Sequence, residues 1–190
     1  MENYLKYKDW YKNTTDKLKL KYGEDLRLVC GLIASTSPQM PVERNLSTAE
    51  ILYQDYKKDS EKFLRTLKNK TRFYKKYGLF KPHYNNIVKV MNHNFKTDLK
   101  LNGNKVSNFY RNLIGDYEAV TIDSWMLRYF DHDLSKINHV KKSEYIAYVE
   151  KIKEGAKVYG LYPAEYQAVL WIKTRLEHGE EAIGFADFLN

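Results

Sequence analysis

Residues 101–130 read LNGNKVSNFYRNLIGDYEAVTIDSWMLRYF. Gly103 tolerates a positive φ, and Asn104 suits the N-cap of a helix KVSNFYRNLIG. Val106, Phe109, Tyr110, Leu113 and Ile114 share one face of that helix, a spacing that predicts a buried stripe. Lys105 falls in the first turn, where the positive end of the helix dipole disfavours an ammonium, and partial burial would push the same way. A neutral amine is a nucleophile, and a lysine in that state suits Schiff-base chemistry. The exposed N–H groups of the turn form a natural phosphate cradle. Eighteen residues further on, Asp123 precedes SWMLRYF and is placed to cap the next helix by accepting backbone N–H groups. A carboxylate held there can stabilise an oxocarbenium-like sugar cation at C1′. Taken singly, Lys105 reads as a surface lysine and Asp123 as an ordinary cap; the pair behind a glycine turn points to chemistry.

Working outward, almost every periodic segment favours helix and no alternating run reads as a strand, so the fold class is all-α. The first helix is expected over roughly residues 3–22, with Tyr4, Trp10, Tyr11, Leu18 and Leu20 apolar and Gly23 as its stop. GEDLRLVCGLIAST is apolar nearly all round, as a central buried helix should be, and ends at Ser37-Pro38 because the residue before proline leaves the helical region. Pro41 can open a third helix at its first turn. The stretch KNKTRFYKKYG (68–78) is basic and aromatic. It can track phosphates through Lys75 and Lys76 while Phe73 and Tyr74 stack on bases, or it can be a solvated face whose aromatics pack inward. KPHYNNIVKVMNHNF places Ile87, Val88, Val90 and Met91 inward. KKSEYIAYVEKIKEGAKVYG is stopped by Gly160, and PAEYQAVLWIKTRLEHG starts with Pro163 and carries Trp171 on a core face. Trp125 likewise sits at a core-facing position, although either ring could line a base pocket. Arg128, one turn after Asp123, can pair with an acid or reach a phosphate.

The chain has 190 residues and a formal net charge of +8, which favours a polyanionic partner, nucleic acid before an acidic membrane surface. The single cysteine, Cys30, lies in an apolar run and reads as core; alone it excludes an intrachain disulfide and a four-cysteine cluster. Asp131, His132, Asp133 and His139 have no recognised metal-ligand spacing, so no metal is expected. No apolar run is long enough to span a bilayer, and MENYLKYKDWYKN lacks the apolar centre of a signal peptide, so an intracellular protein is expected.

With these residues in view, the segment resembles the helix–hairpin–helix DNA glycosylases, the superfamily that includes endonuclease III and the 8-oxoguanine glycosylases. There a hairpin L-x-G-V-G-x-K precedes one helix, and V-D-x-H-V-x-R opens the next. The match here is Leu101-Asn-Gly103-Asn-Lys105-Val106, followed by Val120-Thr-Ile-Asp123-Ser-Trp-Met-Leu-Arg128. The hairpin has one glycine where the family usually has two, and Ser124-Trp125 replaces the residues after the family aspartate. The tail YPAEYQAVLWIKTR is similar to that of small phage-encoded relatives.

The resemblance implies a single two-lobed helical domain over 1–190, with N- and C-terminal helices in one lobe and roughly 40–120 in the hairpin-containing lobe. It implies Lys105 as Schiff-base nucleophile and Asp123 as the catalytic aspartate. Leu101, Gly103 and Asn104 would meet DNA through the hairpin, and Ser37, Gln39 and Asn45 through the loop after the central helix. The expected activity is excision of a damaged or modified base from double-stranded DNA, with strand cleavage, by a monomer needing neither metal nor organic cofactor. The alternatives are a non-catalytic DNA-binding protein on the same fold, or a helical phage structural or interaction protein. A chain that only binds needs neither Lys105 nor Asp123 at a helix start.

Overall fold

Leu26–Thr36 (α2) is the hub: every residue from Leu28 to Thr36 is buried. A helix apolar on all sides must be surrounded, and α2 is enclosed by the helices on either side of it in sequence. The computed structural model describes residues 1–133, 135 and 140–189. Around α2 pack Trp10–Tyr22 (α1), Val42–Lys58 (α3), Lys81–Met91 (α6) and Asn104–Leu113 (α7), with the short helices Ser60–Lys68 (α4) and Lys70–Tyr77 (α5) beyond α3. Ser124–Tyr129 (α8), Lys142–Tyr159 (α9) and Pro163–Glu177 (α10) complete the set. Among the described residues there is no strand, and no helix is long and apolar enough to cross a membrane.

The stops follow local chemistry. Gly23, Gly78 and Gly160 end α1, α5 and α9 with positive φ, a conformation that only glycine adopts cheaply. Glu144 and Glu165 return to the backbone N–H of Lys141 and Tyr162, at 2.8 and 2.9 Å, and so close the starts of α9 and α10. Several expectations are corrected. The first helix is broken into a 3-10 turn, Glu2–Tyr7, and α1; Leu20 is 89% exposed rather than core. Pro41 precedes α3 as its cap instead of opening it. In the basic-aromatic stretch α4 ends at Lys68 and α5 begins at Lys70, with the Asn69 side chain between them accepting from the Arg72 N–H. Cys30 is buried in the core as expected.

Two apolar clusters result. The larger gathers α1 to α7 with Ala164, Ala168, Phe185 and Leu189. The smaller joins Val120, Ile122, Met126 and Leu127 to Ile152, Ala156, Tyr166 and Leu170. α10 serves both, since Ala164 and Ala168 face one cluster and Tyr166 and Leu170 the other, each pair one turn apart. The N-terminal 3-10 turn packs on α10, whereas α1 shares the larger cluster with residues of the 40–120 region. After α10 the chain returns across α1: Lys17 Nζ donates to the Ala186 carbonyl at 2.8 Å, and Phe185 meets the rings of Trp10 and Phe109.

Candidate active site

A cavity of about 360 Å³ lies where the two clusters meet, and Lys105 and Asp123 both line it. Its walls come from α1 (Trp10, Tyr11), the loop after α2 (Ser37 to Val42), α7 (Lys105, Phe109), the start of α8 (Ser124, Trp125), α10 (Gln167, Trp171, Arg175) and Phe185. A volume of this size suits a small organic ligand.

The spacing of the two polar residues has a local cause. Asn108 and Asn112, one turn apart on α7, grip the linker that leads to α8. Asn108 donates to the Val120 carbonyl at 2.8 Å; Asn112 donates to the carbonyls of Asp116 and Ala119 and accepts from Thr121 Oγ1 at 2.7 Å. The Tyr145 hydroxyl donates to the Val120 carbonyl at 3.1 Å from the other side. The helix that carries Lys105 therefore also sets where Asp123 begins the next one. In the sequence this asparagine pair is legible only as polar positions on an amphipathic helix.

Asp123 caps α8 as expected: Oδ1 accepts from the N–H groups of Trp125 and Met126, both at 3.0 Å. Its second oxygen accepts from Trp171 Nε1 at 2.9 Å. Three donors therefore fix the carboxylate, one more contact than the cap itself supplies. Lys105 has no such support. Its Nζ reaches only the Ser37 carbonyl, at 3.5 Å, and it forms no salt bridge with any described residue. Burial pushes the Lys105 amine below the usual lysine range, and the charge of Asp123 opposes that shift in part. Behind the loop, His83 is fully buried, with Nε2 on the Pro38 carbonyl at 2.8 Å. Burial pushes His83 down, the Pro38 contact works against this, and the nearby Lys105 charge lowers it further.

The predicted helix cap at Asn104 is displaced by one residue. Gly103, at φ 85°, is the cap and Asn104 the first helical residue. The turn is tied to α6 by Asn86, which accepts from the Asn102 N–H at 2.6 Å and donates to its carbonyl. Gly103 and Asn104 are exposed, whereas the Leu101 side chain is core, leaving only its backbone available to a partner. Ser37 lines the cavity, its hydroxyl donating to Ala34 at 2.9 Å. Gln39 is exposed at the cavity with φ 56°, a left-handed conformation rare outside glycine. Asn45 is 1% exposed, with Nδ2 donating to Ile33 and Thr36, so it holds the loop and cannot reach out to probe a base stack.

Trp171 packs against the smaller apolar cluster, as its helical position predicts, whereas Trp125 belongs to neither cluster. Both are partly buried and line the cavity, and with Trp10 they place every tryptophan of the chain there. Arg175 sits over the rings of Trp171 and Trp125, at 4.7 and 5.3 Å, and Arg128 over Trp125 at 4.4 Å. Lys75 is exposed, but Lys76 is paired with Asp55 at 2.7 Å, and Phe73 is wholly buried, so it cannot stack on a base. No group of three or more metal-ligating side chains occurs among the described residues; His132 meets the Tyr148 hydroxyl, and His139 lies outside the described residues.

Residues 3–178 match a family of unknown function, DUF7178. The chain belongs to that family. No curated protein and no solved structure matches it. The family span takes in every lining residue of the cavity except Phe185.

Proposed function

We propose that this protein is a DNA N-glycosylase with lyase activity, built as a two-lobed domain of the helix–hairpin–helix type, with Lys105 as nucleophile and Asp123 as the electrostatic partner. The observation that supports this is the joint placement of a desolvated, unpaired amine and a thrice-anchored carboxylate on one aromatic cavity, in a chain of net charge +8. Such a constellation serves nucleophilic attack on an electrophilic sugar carbon better than it serves structure, because a part-buried amine without a carboxylate partner costs stability.

In this scheme duplex DNA is bent over the seam and one nucleotide is everted into the cavity. The Lys105 lone pair forms a bond to C1′ as the C1′–N bond breaks, and the base leaves with that electron pair. Asp123 holds the positive charge that develops on the sugar. The aminated carbon then loses the ring oxygen, which takes up a proton, and an imine forms. Removal of a C2′ proton expels the 3′ phosphate and cuts the strand. The turn at Gly103 is exposed, and even a Cβ there would meet nothing within 4 Å, so a phosphate can approach the α7 N–H groups. Gln39, exposed at the rim, is the residue placed to fill the vacated stack, and Lys75 adds charge along the backbone.

Borohydride trapping on duplexes carrying an abasic site tests the reading. A covalent adduct in the wild type that vanishes in Lys105→Ala supports it. Binding of the duplex without an adduct, on abasic, uracil, oxidised-purine and modified-pyrimidine substrates alike, replaces it with a non-catalytic DNA-binding protein.

A further inference from the structure

Gln167 is 2% exposed, yet half of its amide has no partner. The Tyr11 hydroxyl donates to Gln167 Oε1 at 3.0 Å, which leaves Nε2 as a donor without a hydrogen bond to any described residue. Nε2 is not among the fully enclosed unpartnered atoms, and Gln167 lines the cavity, so its open side is the cavity wall. A polar network beneath this amide runs from Asn112 through Thr121 to Tyr11. Asn112 Nδ2 serves two carbonyls, so Asn112 Oδ1 must accept, and the Thr121 hydroxyl gives its only proton to it. The Tyr11 hydroxyl, which also meets Thr121, gives its proton to Gln167 Oε1 and so turns the Nε2 end of the amide away from itself. Two further unpartnered atoms of the lining residues contribute nothing to a ligand: Trp10 Nε1 is pressed against Gly184, where a Cβ would collide with it, and Asn45 Oδ1 is enclosed.

Resting on the reading of this cavity as a base pocket, we infer that Gln167 determines specificity and that the base it takes carries a carbonyl on the edge facing Nε2. A ring carbonyl accepts the orphaned N–H; an exocyclic amino group in the same place would set donor against donor and leave both buried and unpaired. The substrate class is thus a keto-edged base, as hypoxanthine is relative to adenine and uracil relative to cytosine. A site built to hydrogen-bond one group rejects the analogue that lacks it more strongly than an apolar pocket rejects a change of size.

Free hypoxanthine, adenine, uracil and cytosine, titrated into the full chain, provide the test, because all three tryptophans border the cavity and their fluorescence reports entry. In each pair the keto base should bind at least about tenfold more tightly. Gln167→Glu, which still accepts from Tyr11 but presents an oxygen to the cavity, should reverse the order; Gln167→Leu should level it. Affinities equal within about twofold in the wild type, no binding of any of the four, or a keto preference that persists in Gln167→Glu overturn the assignment. The wild-type order needs no variant and decides even if both substitutions unfold. Abasic-site trapping in the wild type separates the two levels: keto preference without an adduct keeps the nucleobase pocket and removes the glycosylase, whereas an adduct without preference removes the role of Gln167 and keeps the glycosylase.

Discussion

The cavity and the α4–α5 region use the same residue types and arrive at opposite chemistry. Both combine lysines with aromatic rings. In the α4–α5 region Lys76 lies 2.7 Å from Asp55, which also accepts from the Tyr77 hydroxyl, and the hydrogen bond to Asp55 raises the Lys76 amine above its ordinary range. Phe73 and Tyr77 are spent on the core. At the cavity Lys105 has no carboxylate partner and burial lowers its amine, while three tryptophans keep part of their rings on open space. The two amines differ in what stands beside them: Lys76 has a carboxylate partner and Lys105 has none among the described residues.

This contrast can be broken in four places. Phe73→Ala should have the largest effect on stability, a loss of about 3–5 kcal/mol read by chemical denaturation, because it empties a fully buried ring site. A loss under about 1 kcal/mol would return Phe73 to the surface and revive its stacking role. Asp123→Ala removes an acceptor of three hydrogen bonds and should cost about 1–3 kcal/mol, with loss of any borohydride adduct. Trapping undiminished in that variant would remove Asp123 from the chemistry.

Lys105→Met should stabilise the protein at neutral pH, raising Tm by about 2–4 °C. The sign follows from linkage. The folded chain holds the Lys105 proton less tightly than the unfolded chain, so unfolding takes up protons, and wild-type stability rises with pH between the lowered folded value and the ordinary lysine value. The advantage of methionine should therefore shrink as melts are repeated at increasing pH, and a gap independent of pH would mean that Lys105 is not desolvated. Lys76→Ala, at a half-exposed surface pair, should change stability by less than about 1 kcal/mol and leave trapping intact.

What can be read without coordinates is set by short-range chemistry. The glycine stops, the Ser37-Pro38 break, the all-round apolar α2 and the Asp123 cap depend on a few neighbouring residues, and each is found where it is expected. The features that mislead depend on tertiary placement. Leu20 has the hydrophobicity of a core residue but points into solvent on α1, and Trp125 has the periodicity of one but belongs to neither apolar cluster and lines the cavity beneath Arg128 and Arg175. Gln167 carries no signal at all, because a glutamine in an apolar helix acquires meaning only when a tyrosine 156 positions away claims one end of it. Asn69 is a visible cap signal, masked by the charge of the basic run around it.

The return of the chain over α1 has a consequence for how enclosed the chamber is. Phe185 closes one side of it from beyond the span shared with the family, held by Lys17 and by its own tight turn. Shortening the chain after residue 178 would unroof the compartment while sparing both helix starts, so the Lys105–Asp123 pair and its shelter from bulk water are separable parts of one molecule.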